Sequence, residues 1–268
     1  MLQILVLLAA TTVEPLVSTA WLQAHLNDPT VRVIFIGDRS DYDRAHIPGA
    51  RHIDHMATVG SEHRLLPVDV LARTLASAGA EDATHVVLYG DSPMATGWLY
   101  MTLAAIGHGG DVSLLDGGIT LWKAERRPTS ATAPAPGSGR LSVRPAPDAI
   151  VDADWVRGRI ESPGVRILDV RTPDEWKHGH LPGATLILWQ DLFADLRTLK
   201  FKSLDEIRAV LARAGLGADD EAVTYCAVGM RASLMYWAAR AVGLSARVYV
   251  GSFEDWRRNS TNPIAREP

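Results

Sequence analysis

Short apolar runs and amphipathic stretches alternate along the chain, and the same series occurs twice. Val31-Arg32-Val33-Ile34-Phe35-Ile36 and Val165-Arg166-Ile167-Leu168-Asp169-Val170 read as strands rich in β-branched residues. Ahead of them, Trp21-Leu22 and Trp155-Val156 open short helical patterns. At the same offset follow His46-Ile47-Pro48-Gly49-Ala50 and His180-Leu181-Pro182-Gly183-Ala184. Leu71, Leu75 and Gly79 are then matched by Ile207, Leu211 and Gly215, with two residues of slippage. Val86 to Tyr89 and Ala222 to Tyr225 read as further strands, each leading through a loop into a helix. Each half closes with a strand and a Gly-x-x-x-x-Trp turn, Gly117 to Trp122 and Gly251 to Trp256. So many matches in one order mean a duplicated unit. Strands alternating with helices predict an α/β fold, each unit a parallel sheet with helices on both faces.

The predicted boundaries are residues 1–130 for the first domain, 131–148 for a linker and 149–268 for the second domain. Pro128 to Pro147 is rich in Pro, Ala, Ser and Gly, a composition that builds no core. Ser203-Leu204-Asp205-Glu206 has the form of a capping box opening a helix that runs to Ala214. The length of 268 residues suits about two domains, and 47% hydrophobic residues suffice for full cores. A net charge of -4, with no basic stripe among aromatics, gives no support for a nucleic-acid partner, and none is expected. One cysteine permits no intramolecular disulfide. Met1 to Ala10 is apolar but too short to span a bilayer, and no Lys or Arg precedes it. A cytoplasmic protein without membrane partners is expected, or a periplasmic one if residues 1–10 act as a signal segment. The oligomeric state is not legible.

That cysteine, Cys226, ends the strand Ala222 to Tyr225. Beyond a tight loop, Leu234, Trp237, Ala238, Ala241 and Val242 recur at helical spacing, with Gly243 at the C-terminal cap. Cys226 is therefore placed at the carboxyl end of a strand, facing a helix N-terminus, where open α/β sheets hold ligands. Unpartnered loop amides and the helix dipole favour thiolate over thiol, and so predict a lowered pKa and a nucleophile. Lone cysteines also serve as small buried apolar residues. Arg231, a cation in the first helical turn, opposes the dipole unless an anion sits nearby. Ala227, Val228, Gly229 and Met230 separate Cys226 from Arg231, one residue fewer than a cysteine phosphatase uses to wrap phosphate. The loop suits a smaller group, such as a sulfur carried on the cysteine.

The duplication supplies a control. Aligned through the strands, Gly90 falls opposite Cys226, Ala95 opposite Arg231, Phe35 opposite Asp169 and Gly37 opposite Arg171. Asp91 and Ser92 in the first-half loop bring no nucleophile with a base beside it. The scaffold recurs while the chemistry does not, so the second half is read as catalytic and the first as inert. Arg171 can project toward the edge that carries Cys226 and contact a donor, or pair with Glu175 four residues on; Asp169 is a supporting residue. His180 is matched by His46 and is therefore structural. His52, His55 and His63 lack the spacing of a zinc motif, so no metal and no cofactor is expected. Trp189, Trp237 and Trp256 are expected in the core or the pocket wall.

Taken together, His-x-Pro-Gly-Ala in both halves, Asp169-x-Arg171 and the loop from Cys226 to Arg231 resemble the tandem-domain rhodaneses. That group comprises the thiosulfate and 3-mercaptopyruvate sulfurtransferases, and the resemblance spans about Pro15 to Trp256. It implies an inactive first domain and a persulfide on Cys226, held by the amides of Ala227, Val228, Gly229, Met230 and Arg231. It also implies a small-molecule sulfur donor, and a thiol or cyanide as acceptor. Thiosulfate enzymes of this group carry Cys-Arg-Lys-Gly-Val-Thr and mercaptopyruvate enzymes Cys-Gly-Ser/Ala-Gly-Val-Thr; the present loop matches neither. Arg171 and Arg231 tilt the expectation to thiosulfate. The competing readings are a cysteine phosphatase or arsenate reductase, and a non-enzymatic regulatory binding module.

Overall fold

The computed structural model describes residues 13–135, 139–144, 146 and 149–266. The apolar Met1 to Ala10 run lies outside them, as do parts of the expected linker. The first half runs β1 (Leu16–Val17), α1 (Thr19–His25), β2 (Val31–Ile36), α2 (Arg39–Arg44), β3 (Arg51–Ile53), α3 (Val68–Ser77), β4 (His85–Gly90), α4 (Pro93–Ala105), β5 (Val112–Leu115) and α5 (Gly118–Ala124). The second runs β6 (Ile150–Val151), α6 (Ala153–Arg157), β7 (Val165–Asp169), α7 (Pro173–Lys177), β8 (Thr185–Leu186), β9 (Phe193–Asp195), β10 (Lys200–Phe201), α8 (Leu204–Arg213), β11 (Glu221–Tyr225), α9 (Met230–Ala241), β12 (Ser245–Tyr249) and α10 (Ser252–Trp256).

Each half holds a five-stranded sheet, in the orders β1-β5-β4-β2-β3 and β6-β12-β11-β7-β8. Every strand pair in these sheets is parallel, and Phe35 pairs with Tyr89 as Asp169 pairs with Tyr225. The two sheets are therefore one topology used twice. The edge strands β1 and β6 are too short for any periodicity to announce them. The β9–β10 hairpin belongs to the second half only, and is antiparallel.

Alternate residues of each central strand pack on opposite faces, as parallel strands buried on both sides must. Ile34, Ile36, Val86 and Leu88 join a central apolar cluster, while Val33, Phe35, Val87 and Tyr89 face an outer one with Trp122. In the second half Leu168 and Ala222 face the central cluster; Ile167, Val223 and Tyr225 face an outer one with Trp256. The central cluster runs through both halves, with α4 crossing α9 inside it. At the crossing, a Cβ on Gly97 would come within 2.6 Å of Leu234 Cα, so only glycine permits this approach. The segment joining the halves does not hang free. Ser130 bridges to His46, Gly139 N–H donates to Ala76 O, and Arg144 N–H donates to Ile106 O (2.9 Å), pinning it to the first half.

The halves cover each other's loops reciprocally. The β9–β10 hairpin lies over the first half's β4–α4 loop: Phe201 N–H donates to Asp116 Oδ1 (2.7 Å), and Leu199 and Phe201 line a residual cavity of about 20 Å³ with Gly90 and Pro93. In return, the stretch before α3 leans on the second half, through Arg64 to Asp255 (3.4 Å) and Glu62 to Arg258 (2.8 Å).

Candidate active site

β11 ends at Tyr225 and α9 begins at Met230, leaving Cys226, Ala227, Val228 and Gly229 as the loop between them. Gly229 makes the turn in the left-handed region (φ 92). A Cβ there would lie 2.8 Å from Val250 O and 3.1 Å from Trp98 Cζ3, so no other residue fits. Trp98 comes from the first half and is held by a hydrogen bond from its Nε1 to Thr58 Oγ1 (2.9 Å). The first half thus supplies a wall of the loop.

Cys226 is 1% exposed, and its Sγ accepts a hydrogen bond from Gly229 N–H at 3.1 Å. No side chain caps the N-terminus of α9, so its first-turn amides stay available. The first half differs on both counts. Counted from the equivalent Tyr89 and Tyr225, its connection is one residue shorter, Gly90-Asp91-Ser92, with Pro93 opening α4 and Ser92 Oγ accepting from Ala95 N–H. The helices therefore align Met94, not the expected Ala95, with Arg231. Either way no cation stands there.

The charged residues pair differently from the expectation that Arg171 meets Glu175. Arg231 makes a two-pronged pair with Glu175, Nη1 to Oε2 and Nη2 to Oε1, both 2.7 Å. Glu175 Oε2 also accepts Thr172 N–H (2.9 Å), while Thr172 Oγ1 accepts Glu175 N–H, a capping box that fixes α7. The Arg231 hydrogen bonds pull the Glu175 carboxyl down to about 2. The same bonds, with Cys226 next to the guanidinium, push Arg231 up. This is the anion that a cation in the first turn of α9 requires.

Arg171 lies beneath the loop, 3% exposed. Its Nε and Nη2 grip the Asp169 carboxylate (2.9 and 2.6 Å), and Nη2 also donates to Gly179 O (2.7 Å). Its guanidinium stacks 4.0 Å over the Phe253 ring. Buried and engaged through Nε and Nη2, it braces the loop from beneath, where the expectation had it contacting a donor. Asp169 Oδ2 also accepts Tyr225 OH (2.5 Å), and that oxygen in turn accepts Leu181 N–H (3.1 Å). The network ties β7, β11 and the His180-Leu181-Pro182 turn together immediately before Cys226. Where this network stands, the first half has Phe35 edge-on to Tyr89 at 5.4 Å.

His180 stacks on Trp176 at 3.5 Å, and His46 stacks on Tyr42 at 3.9 Å. Each places Nδ1 toward a carbonyl of its stacking partner, 3.3 and 2.7 Å away, and so braces its turn. Trp237 and Trp256 are fully buried, and Trp189 packs against the central cluster. Among the described residues no group of His, Cys, Asp and Glu is arranged to hold a metal, and no helix is long and apolar enough to cross a membrane. Sequence reasoning missed Ser252, whose Oγ accepts Cys226 N–H (3.1 Å). Comparing Gly117-Gly118 with Gly251-Ser252 in the two closing turns would have singled it out.

The Rhodanese-like domain family matches the chain twice, over residues 18–125 and 152–259. The chain belongs to the rhodanese family. This tandem rhodanese is 28% identical over 261 residues to a thiosulfate sulfurtransferase of Azotobacter vinelandii, covering 92% of this chain and 96% of that protein. It is 32% identical over 281 residues to the sulfur carrier protein TtuD of Thermus thermophilus, covering 94% and 97%. A thiosulfate sulfurtransferase of Corynebacterium glutamicum is 31% identical over 279 residues, covering 94% and 90%. Among solved structures, SseA from Escherichia coli, a 3-mercaptopyruvate sulfotransferase, superposes with a TM-score of 0.79 at 22% identity, covering 90% and 99%; at that identity the likeness shows the fold. With both domains matched and relatives spanning the chain, the protein is an enzyme, a sulfurtransferase.

The Glu175–Arg231 pair carries a pH signature. A carboxyl whose ordinary value is 4.5 and whose folded value is about 2 contributes stability that is fully present above 4.5. That contribution is lost as pH falls through the folded value. The Tm difference between wild type and Glu175→Gln is therefore expected to hold above about pH 5 and narrow steadily below it. Both side chains are partly exposed (21% and 33%), so added salt should narrow the difference too. A pH-independent difference would mean that the charge of Glu175 does not contribute to stability.

Proposed function

We propose that the rhodanese takes the sulfane sulfur of thiosulfate onto Cys226 as a persulfide and passes it to a thiophilic acceptor such as cyanide or a thiol. The observation that carries this is the placement of Cys226, at the end of β11 with Gly229 N–H on its sulfur and the uncapped start of α9 ahead. Cys226 thiolate attacks the outer sulfur of thiosulfate, the S–S bond breaks, and sulfite leaves with the electron pair. The acceptor then attacks the outer persulfide sulfur and carries it off, returning the thiolate. Two half-reactions sharing one covalent intermediate give ping-pong kinetics.

The amides of Ala227, Val228, Gly229, Met230 and Arg231 cradle the added sulfur, and Arg231 faces the donor's anionic end. Asp169, Arg171 and Glu175 hold the loop and Arg231 in place. Thiosulfate is favoured over 3-mercaptopyruvate because relatives along the whole chain are thiosulfate sulfurtransferases and because Arg231 sits next to the sulfur. The loop is too short for a phosphatase, and a binding module has no use for a nucleophile in this setting.

Intact mass after thiosulfate, without reductant, tests the reading. Wild type is expected to gain one sulfur, lost again on adding cyanide, and Cys226→Ser to gain none. A wild type that gains nothing from thiosulfate or from 3-mercaptopyruvate would overturn it.

A further inference from the structure

We propose that Ser252 is a positioning residue that sets the backbone of Cys226, and through it the direction of the sulfur. The proposal rests on Cys226 being the sulfur carrier. Ser252 is fully buried and sits in the left-handed region (φ 57), where a residue with a Cβ is uncommon. Its hydroxyl accepts Cys226 N–H (3.1 Å) and donates to Tyr249 O (2.9 Å), so both of its roles are committed. The turn it forms brings the next amides onto the same loop: Phe253 N–H donates to Cys226 O (2.9 Å) and Glu254 N–H to Ala227 O (3.1 Å). The peptide groups on both sides of Cys226 are therefore clamped by one turn.

The other half shows what this turn looks like where no sulfur is carried. Its counterpart of Ser252 is Gly118, with nearly the same φ (51), although the residue before it is left-handed (Gly117, φ 69) where Gly251 is right-handed (φ -57). A Cβ on Gly118 would lie 2.6 Å from Gly90 O, so a serine does not fit there. The fold thus accepts glycine at this turn, and glycine is free of the conformational strain that serine bears. A strained side chain is retained only in the half with the cysteine, and its hydroxyl touches the cysteine's own amide.

The experiment uses the full chain with Ser252→Gly and Ser252→Ala. In Ser252→Gly the relief of strain offsets the lost hydroxyl bonds, so its Tm is expected within a few degrees of wild type. Its kcat for sulfur transfer from thiosulfate to cyanide should fall about tenfold, with KM for thiosulfate within about twofold, because misdirection of a nucleophile acts on the reacting step. Ser252→Ala should lose kcat in the same way and Tm more. Alkylation of Cys226 by iodoacetamide reads the sulfur's setting without any sulfur transfer. Its pH–rate profile should move to higher pH in both variants, as the Gly229 N–H contact loosens. Unchanged kcat and an unchanged alkylation profile would overturn the proposal. So would a kcat loss that only tracks a lower folded fraction. If wild type takes up no sulfur, the carrier reading falls, and the alkylation profile alone still decides whether Ser252 sets Cys226.

Discussion

Asp169→Ala is expected to cost about 3–5 kcal/mol of stability, read by urea denaturation, because it breaks a buried ion pair from one side. Asp169 is fully buried and accepts Arg171 N–H and Nε on Oδ1 (3.0 and 2.9 Å), with Arg171 Nη2 and Tyr225 OH on Oδ2 (2.6 and 2.5 Å). Removing it leaves the buried Arg171 guanidinium with no carboxylate, facing Gly179 O and the rings of Phe253 and Tyr225. Tyr225 OH loses its acceptor in the same stroke. The first half offers the comparison, since Phe35 and Gly37 occupy the corresponding positions without charge. The double variant Asp169→Phe/Arg171→Gly is therefore expected to be less destabilised than Asp169→Ala, because it removes both charges. A single variant that loses less than about 1 kcal/mol would mean that the pair contributes nothing the surrounding apolar packing does not already supply.

Arg231→Ala should reduce kcat/KM for thiosulfate by about thirtyfold or more, corresponding to about 2 kcal/mol. Part of that loss is the attraction between guanidinium and dianion. The larger part comes from Glu175, left as an unpaired carboxylate facing the place the guanidinium held, where it repels the donor. Arg231→Ala/Glu175→Gln should then recover a good share of the activity although it contains more changes. Steady-state kinetics of the two variants separate these contributions. If the double variant is no better than the single, the repulsion is negligible and Arg231 acts by contact alone.

Much of this architecture is legible before any coordinates, because duplication prints each element twice. His-x-Pro-Gly-Ala, the paired strands and the Gly-x-x-x-x-Trp turns each mark an element that the structure contains. The loop from Cys226 to Arg231 and its helix are equally plain, since a strand, a glycine and a helical period follow one another. Partners were harder to read. The i, i+4 rule suggested Arg171 with Glu175, but that rule holds within one helix, and Arg171 lies ahead of α7, on extended chain pointing beneath the loop. The carboxylate that meets Arg171 is two residues before it, and Glu175 reaches a residue far along the sequence. The shorter first-half loop was hidden for a related reason, since alignment from the strand side counts past the missing residue. Ser252 shows in the sequence only as a difference between the two closing turns, because the left-handed backbone on which its role depends is not one that serine announces.

The reciprocal covering of the two loops has a consequence for how the enzyme turns over. With α4 and α9 crossing at Gly97 inside a cluster common to both sheets, swinging the halves apart would bring that apolar cluster into water. Domain motions are the default only where such an interface is small and polar. Turnover therefore takes place in a fixed frame. On the proposed two-step mechanism, donor and acceptor reach the 1%-exposed Cys226 one after the other, with no hinge to open a path. The first half is in that sense a fixed backing to the reaction: Trp98, fully buried, packs against Gly229 and holds the loop that carries the cysteine.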